Sequence, residues 1–171
     1  MDTMETKAEE AFEPLLELEM EMASFAADWL YCDQCSAYVA SMVSHDRNDP
    51  IRHANLLSAA LNELFEMSFH AKERNGVLTC RFCRNGATER IELTFPCSAE
   101  RRGFYEAIVA RIKSGQALAS YLDVITSDDA LSEHAILLGL AVNYDADIEL
   151  FARDTGMLTF VVDLALERLL H

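Results

Sequence analysis

The segments "VLTCRFC" and "TERIELTF" alternate apolar and polar residues on either side of Asn85-Gly86. A period of two marks a strand with one buried face, and Asn-Gly favours a two-residue hairpin turn because both residues tolerate positive φ. The expected hairpin places Leu78, Cys80 and Phe82 on one face and Thr79, Arg81 and Cys83 on the other. Ile91, Leu93 and Phe95 continue the apolar face on the return strand. Pro96, which has no N–H for a ladder, ends it.

The same period appears after Pro14 in "LLELEMEM", with Leu16, Leu18, Met20 and Met22 on one side and Glu17, Glu19 and Glu21 on the other. Ser24 is then expected to cap a helix running to about Ser44, with Trp29, Ala37, Val39, Met42 and Val43 as its apolar surface. Asp49 followed by Pro50 predicts a second helix to about Ala71, whose inward stripe is Leu57, Leu61, Leu64, Phe65 and Ser68. From Ser98 the pattern is helical again, with Phe104, Ile108 and Ile112 before a break at Ser114-Gly115. A further helical stretch carries Leu118, Tyr121, Leu122 and Ile125, and Asp128 is expected to cap another through about Tyr144. The end, "DIELFARDTGMLTFVVDLALERLL", reads as two strand-like runs around Asp154-Thr155-Gly156.

With no internal repeat and no linker rich in Pro, Gly or Ser, this order predicts one α+β domain, a two-layer sandwich of helices on an antiparallel or mixed sheet. Residues 15–171 form that domain. Residues 1–14 are expected to be an acidic flexible tail, in which Asp2, Glu5, Glu9, Glu10 and Glu13 face a single Lys7.

A formal charge of −15 argues against nucleic acid and anionic membrane as partners, since both require a surplus of Lys and Arg on some face. The apolar run from Ala135 to Val142 falls far short of the ~20 residues of a membrane-spanning helix. The start of the chain is acidic where a targeting peptide is basic, so a cytoplasmic location is expected. Five cysteines, an odd number in a chain of 171 residues, point to reduced thiols and not to a disulfide framework.

Four of those cysteines form two Cys-x-x-Cys pairs, Cys32 with Cys35 and Cys80 with Cys83, a spacing that can supply a tetrahedral zinc site. Cys32 and Cys35 lie on one face of a helix. Cys80 and Cys83 are three apart on a strand and point to opposite faces, so a zinc site would need the hairpin to be a knuckle instead. Redox chemistry needs a thiol lowered at a helix N-terminus, whereas "YCDQC" lies well inside its helix with Asp33 alongside. Buried cysteine as a small hydrophobe is the reading for most of the five.

The stretch "LLSAALNELFEMSFHA", with the flanking "RHAN", resembles the first nucleotide-binding helix of the histidine-kinase-like ATPase superfamily, the GHKL fold. In that family a Glu is followed one helical turn later by an Asn that holds Mg²⁺ against the phosphates. The Glu position here is Glu63, and the Asn position is Met67, whose thioether is a poor ligand for a hard cation. "LLGLAVNYDADIELF" is similar to the family's glycine-rich lid junction, of which only Gly139 remains. "TFPCSAERRG" stands where the family carries an adenine-reading Asp-x-Gly element and has no such Asp.

The resemblance implies a histidine-kinase-like ATPase fold over most of residues 15 to 167. It also implies a vestigial nucleotide pocket at Glu63, Met67 and Gly139. No cofactor is expected, ATP with Mg²⁺ being what the intact motif would hold. Small stand-alone members act as anti-sigma factors or partner-switching kinases in bacterial signalling. The expected function is regulation by protein–protein binding, through a partner with a basic surface or a second copy of the chain. The alternatives are an active Ser/Thr kinase of the anti-sigma type and an interaction module stapled by zinc on Cys32, Cys35, Cys80 and Cys83. His53 and His70 are read as surface or capping residues. No nucleophile elbow, zincin helix or phosphate-binding loop is present.

Overall fold

A computed structural model describes residues 12–27, 30–70, 75–127, 133–153 and 156–169. The chain runs β1 (Glu13–Glu21), α1 (Met22–Ala27), α2 (Leu30–Ser44), α3 (Pro50–His70), β2 (Val77–Asn85), β3 (Thr88–Pro96) and α4 (Ala99–Lys113). It continues through α5 (Ala117–Ile125), α6 (Glu133–Asn143), β4 (Asp147–Arg153), β5 (Met157–Leu164) and α7 (Leu166–Leu169). The five strands form one sheet in the order β1-β2-β3-β5-β4, antiparallel at every pairing. It is the expected α+β sandwich, with helices packed on a wholly antiparallel sheet.

Register explains the core. Leu16, Phe82, Ile91, Val162 and Ile148 align across the five strands on the helix-facing side, and so do Leu18, Cys80, Leu93, Phe160 and Leu150. They pack against Leu57, Leu61, Leu64 and Phe65 of α3 and against Tyr105 of α4. Phe95 stacks on Phe160 at 5.9 Å, and the Tyr105 ring meets both edge-on. The opposite face of the sheet is largely a set of cross-strand polar pairs, among them Thr94 with Thr159 at 2.8 Å and Arg90 with Asp163 at 2.8 and 2.9 Å.

Several boundaries differ from the expectation for local reasons. Asn85 pairs with Thr88, so the turn residues are Gly86 and Ala87, and Gly86 alone takes the positive φ of 58°. β1 starts at Glu13, inside the stretch assigned to the tail. Met22 opens a helix instead of ending the strand, and its N–H bonds to the Gly76 carbonyl at 2.9 Å. Ser24 therefore lies within α1 and does not cap the long helix. The expected helix start at Asp49-Pro50 is present, with Asp49 Oδ1 accepting from the Arg52 N–H at 3.3 Å. Ser98 caps α4 by accepting from the Arg101 N–H at 3.3 Å. The last strand gives way at Ala165 to α7, which the strand-like reading of the C-terminus missed. Trp29, Ala71, Asp128 and Asp154-Thr155 fall outside the described residues.

Candidate functional site

The densest polar cluster lies where the β2–β3 hairpin meets the start of α3. Glu89, fully buried, is the inward-facing cross-strand partner of Arg84. Its Oε1 accepts from Arg47 Nε at 3.0 Å and Arg47 Nη2 at 2.6 Å, and both its oxygens accept from Arg84 Nε at 3.1 Å. Arg84 also donates to Asp46 at 3.0 Å and to the Val43 carbonyl, and Arg47 donates to the Gly86 carbonyl at 3.0 Å. His53 Nε2 lies 3.2 Å from Glu89 Oε1 but out of line for a straight N–H···O bond, while His53 Nδ1 and Ser44 Oγ are 2.6 Å apart. Burial alone would raise the Glu89 carboxyl. The contacts from His53, Arg84 and Arg47 override it and hold the carboxyl below its ordinary range.

Ser44, His53 and Glu89 follow the order of nucleophile, base and orienting acid. Ser44 and His53 are each only 1% exposed, so no substrate atom reaches them. The cluster is a clamp joining the end of α2, the start of α3 and the hairpin turn. His53 is thus a core residue, contrary to the surface reading. The His70 side chain falls outside the described residues.

The resemblance-derived residues lie on α3 and α6. Met67 is fully buried in the core. Glu63 is half-buried, its Oε2 has no hydrogen-bond partner among the described residues, and burial, then Glu66, raises its pKa. Its charge also helps raise Tyr144, after burial. Gly139 lies inside α6 and not in a loop, and a Cβ there would make ordinary contacts at 3.5 Å with Tyr121 and 3.7 Å with Asn143. A cleft of about 420 Å³ opens beside the other end of α3, lined by Arg52, Asn55, Leu56, Asn143 and Leu169. Glu63, Met67 and Gly139 do not line it.

All five cysteines are free. Cys80 faces the helices and is close enough to Cys35 to feel its charge, as Cys32 is. Cys83 lies on the opposite side of the sheet, lining a cleft of about 280 Å³ with Arg81, Arg90 and Phe151. The four therefore do not converge on one point. Burial, then the neighbouring Cys35, pushes Cys32 and Cys80 up to about 12.

One open apolar surface flanks β1. β1 ends the sheet, and α2 runs alongside it. Cys35 Sγ lies 3.7 Å from Met20 Sδ, and Met42 and Val43 share a cleft of about 160 Å³ with Leu15 and Leu16. Tyr38 stands one turn from both Cys35 and Met42 on the same side of α2. Tyr38 is 65% exposed and Met42 45%, while Leu16, Leu18 and Met20 stay half-buried although they face the helical layer. The result is a groove between a strand edge and a helix, apolar along Leu15, Leu16, Met42 and Val43 and closed at one end by His45, Asp46 and Arg84. A second open stripe, Leu118, Leu122 and Ile125, lies on α5.

No family model matches the sequence, and no curated protein matches it. Sequence reasoning placed Met42 inside an apolar helix face and missed the clamp of Glu89, Arg47 and Arg84. One signal could have found the clamp: Glu89 and Arg84 break the apolar alternation on the inward face at cross-strand positions, which a packed core tolerates only for a paired charge.

Proposed function

We propose that this protein is a signalling regulator that works in the cytoplasm by binding another protein, in the manner of the small histidine-kinase-like regulators it resembles. Its nucleotide-binding motifs are spent. The groove between β1 and α2 carries this reading: the apolar side chains of Leu15, Tyr38 and Met42 are left open there, while the polar cluster best arranged for chemistry is sealed in the core. The charge of −15 adds a preference for a partner with a basic surface, because opposite potentials speed encounter and reject acidic competitors. Burial of Met67 and the location of Gly139 within a helix also fit a domain kept for its surface.

Two measurements test it. Titration calorimetry with ATP and Mg²⁺ is expected to show no binding tighter than millimolar. A micromolar, Mg-dependent affinity that falls on Glu63→Ala would replace this reading with the kinase. The association rate of a partner purified from the native cell is expected to fall as salt rises, and a rate indifferent to salt removes the electrostatic part of the proposal.

A further inference from the structure

Building on the protein-binding reading, we infer that the free edge of β1 takes up an extended partner segment in which Lys or Arg alternates with apolar residues, added to the sheet as one more strand. Among the described residues β1 has a sheet neighbour on one side only, β2. Alternate residues of such an edge strand turn their N–H and C=O groups outward, a template for another chain. From Leu16 to Glu21 its register with β2 is regular, with the bulge confined to Pro14–Leu16. That gives a straight edge of six residues.

Three features select the occupant. An added strand would lay every second side chain over the groove floor, against Leu16 and Met42 and beside the exposed Tyr38, and so requires apolar residues there. The intervening side chains would lie beside Glu17, Glu19 and Glu21 on the opposite face, which calls for Lys or Arg. A second copy of this chain is the wrong occupant: pairing β1 with β1 while keeping the apolar face inward puts glutamate opposite glutamate in either strand direction. The other edge strand, β4, has helix α4 packed against it and carries no row of glutamates like that of β1. Charged edges also serve to prevent strand pairing, but that role needs no open apolar floor beside the edge.

The test uses the full chain and three capped nine-residue peptides: alternating Lys and Val, alternating Glu and Val, and the Lys-Val peptide with Pro at its centre. Fluorescence anisotropy is expected to show saturable binding of Lys-Val at least tenfold tighter than of Glu-Val, weakening with salt and lost with Pro, which interrupts the ladder. Amide exchange is expected to slow in β1 and not in β4. The E17Q/E19Q/E21Q variant is expected to bind Lys-Val roughly tenfold more weakly, as loss of three exposed charge pairs allows. Tyr38→Glu provides a second, strand-independent loss.

Equal affinity for the two alternating peptides, no saturation of Lys-Val, or slowed exchange confined to another element overturns the inference. A native partner that binds the E17Q/E19Q/E21Q variant with unchanged affinity, and with salt-dependent kinetics, also overturns it while leaving the protein-binding reading intact. Micromolar Mg-dependent ATP binding together with peptide protection of β1 does the reverse.

Discussion

Replacing Glu89 by Gln tests whether the buried clamp holds the hairpin to the helical layer. The change keeps side-chain shape and one acceptor but removes the carboxylate that the Arg47 guanidinium and Arg84 Nε share, leaving Arg47 with Glu167 at 3.6 Å and Arg84 with Asp46 at 3.0 Å. Both arginine side chains are only 12% exposed, so water cannot replace the lost charge. Removing one partner of a buried ion pair costs about 3–5 kcal/mol, and the retained amide acceptor places this change near the lower end. For a chain of this size about 2–4 °C follows each kcal/mol, so a loss of ~3 kcal/mol lowers the melting temperature by ~6–12 °C. Thermal and urea unfolding followed by circular dichroism at pH 7 measure it. The control is Arg81→Gln on the exposed sheet face, 3.8 Å from Glu92, where the loss should stay below about 1 kcal/mol.

The pH dependence supplies a second readout of the same substitution. The folded-state pKa of Glu89 is lowered, so its stabilising contribution is complete above the ordinary carboxylate range and is lost as pH falls through the lowered value. Glu89→Gln should therefore flatten the acid limb of the stability curve. Combining it with Arg84→Met should cost less than the sum of the two, because both changes remove the same Arg84–Glu89 contact. A loss no larger than that of Arg81→Gln, or one reversed by salt, would refute the reasoning.

Glu63→Gln should raise the melting temperature at pH 7: burial raises the pKa of Glu63, so its ionisation opposes folding as pH rises through that value, and the gain should vanish below the carboxylate range. Gly139→Ala should stabilise by about 0.5–1 kcal/mol in urea unfolding, since a Cβ fits there and glycine weakens a helix interior; a net loss would show that the glycine serves a closer approach. Gly76→Ala should destabilise by at least about 1 kcal/mol, because φ is +103° and the new Cβ would lie 2.7 Å from Pro96 Cγ. In timed alkylation read by mass spectrometry, half-buried Cys35 should react first, and Cys32 and Cys80, pushed to about 12, only on unfolding.

The strands were legible because each carries its own burial code. "LTCRFC" and "RIELTF" alternate so regularly that face and partner could be written down before any tertiary contact was known. The one-residue shift of the turn follows from Arg84. An inward-facing arginine reads as polar and therefore as loop, yet it stays in the ladder because Glu89 lies opposite. The same blindness hid the clamp, since Arg47, His53, Arg84 and Glu89 are spread over 43 positions and meet only after α2, α3 and the hairpin have packed. Helix starts signalled by a local hydrogen bond, Asp49 and Ser98, were readable. The start at Met22 was not, because its N–H finds a partner on Gly76, far along the chain.

The candidate site follows the same division, and this bears on what kind of site it is. A catalytic site is normally betrayed by residue types, because few side chains carry nucleophile, base or metal ligand, and the Ser44–His53–Glu89 arrangement found among the described residues lies sealed in the core. An edge groove uses ordinary residues: leucines, a methionine, a tyrosine and three glutamates. In sequence, "LELEME" reads only as a half-buried strand. What makes it an open template is its place at the end of the sheet order, beside a helix that covers it incompletely, and both facts arise from the pairing of β2 with β3 and β3 with β5. The glutamate row then has two consequences from one cause. In the proposed interaction it would keep copies of the chain from pairing through β1 and leave that edge selective for a strand of opposite charge.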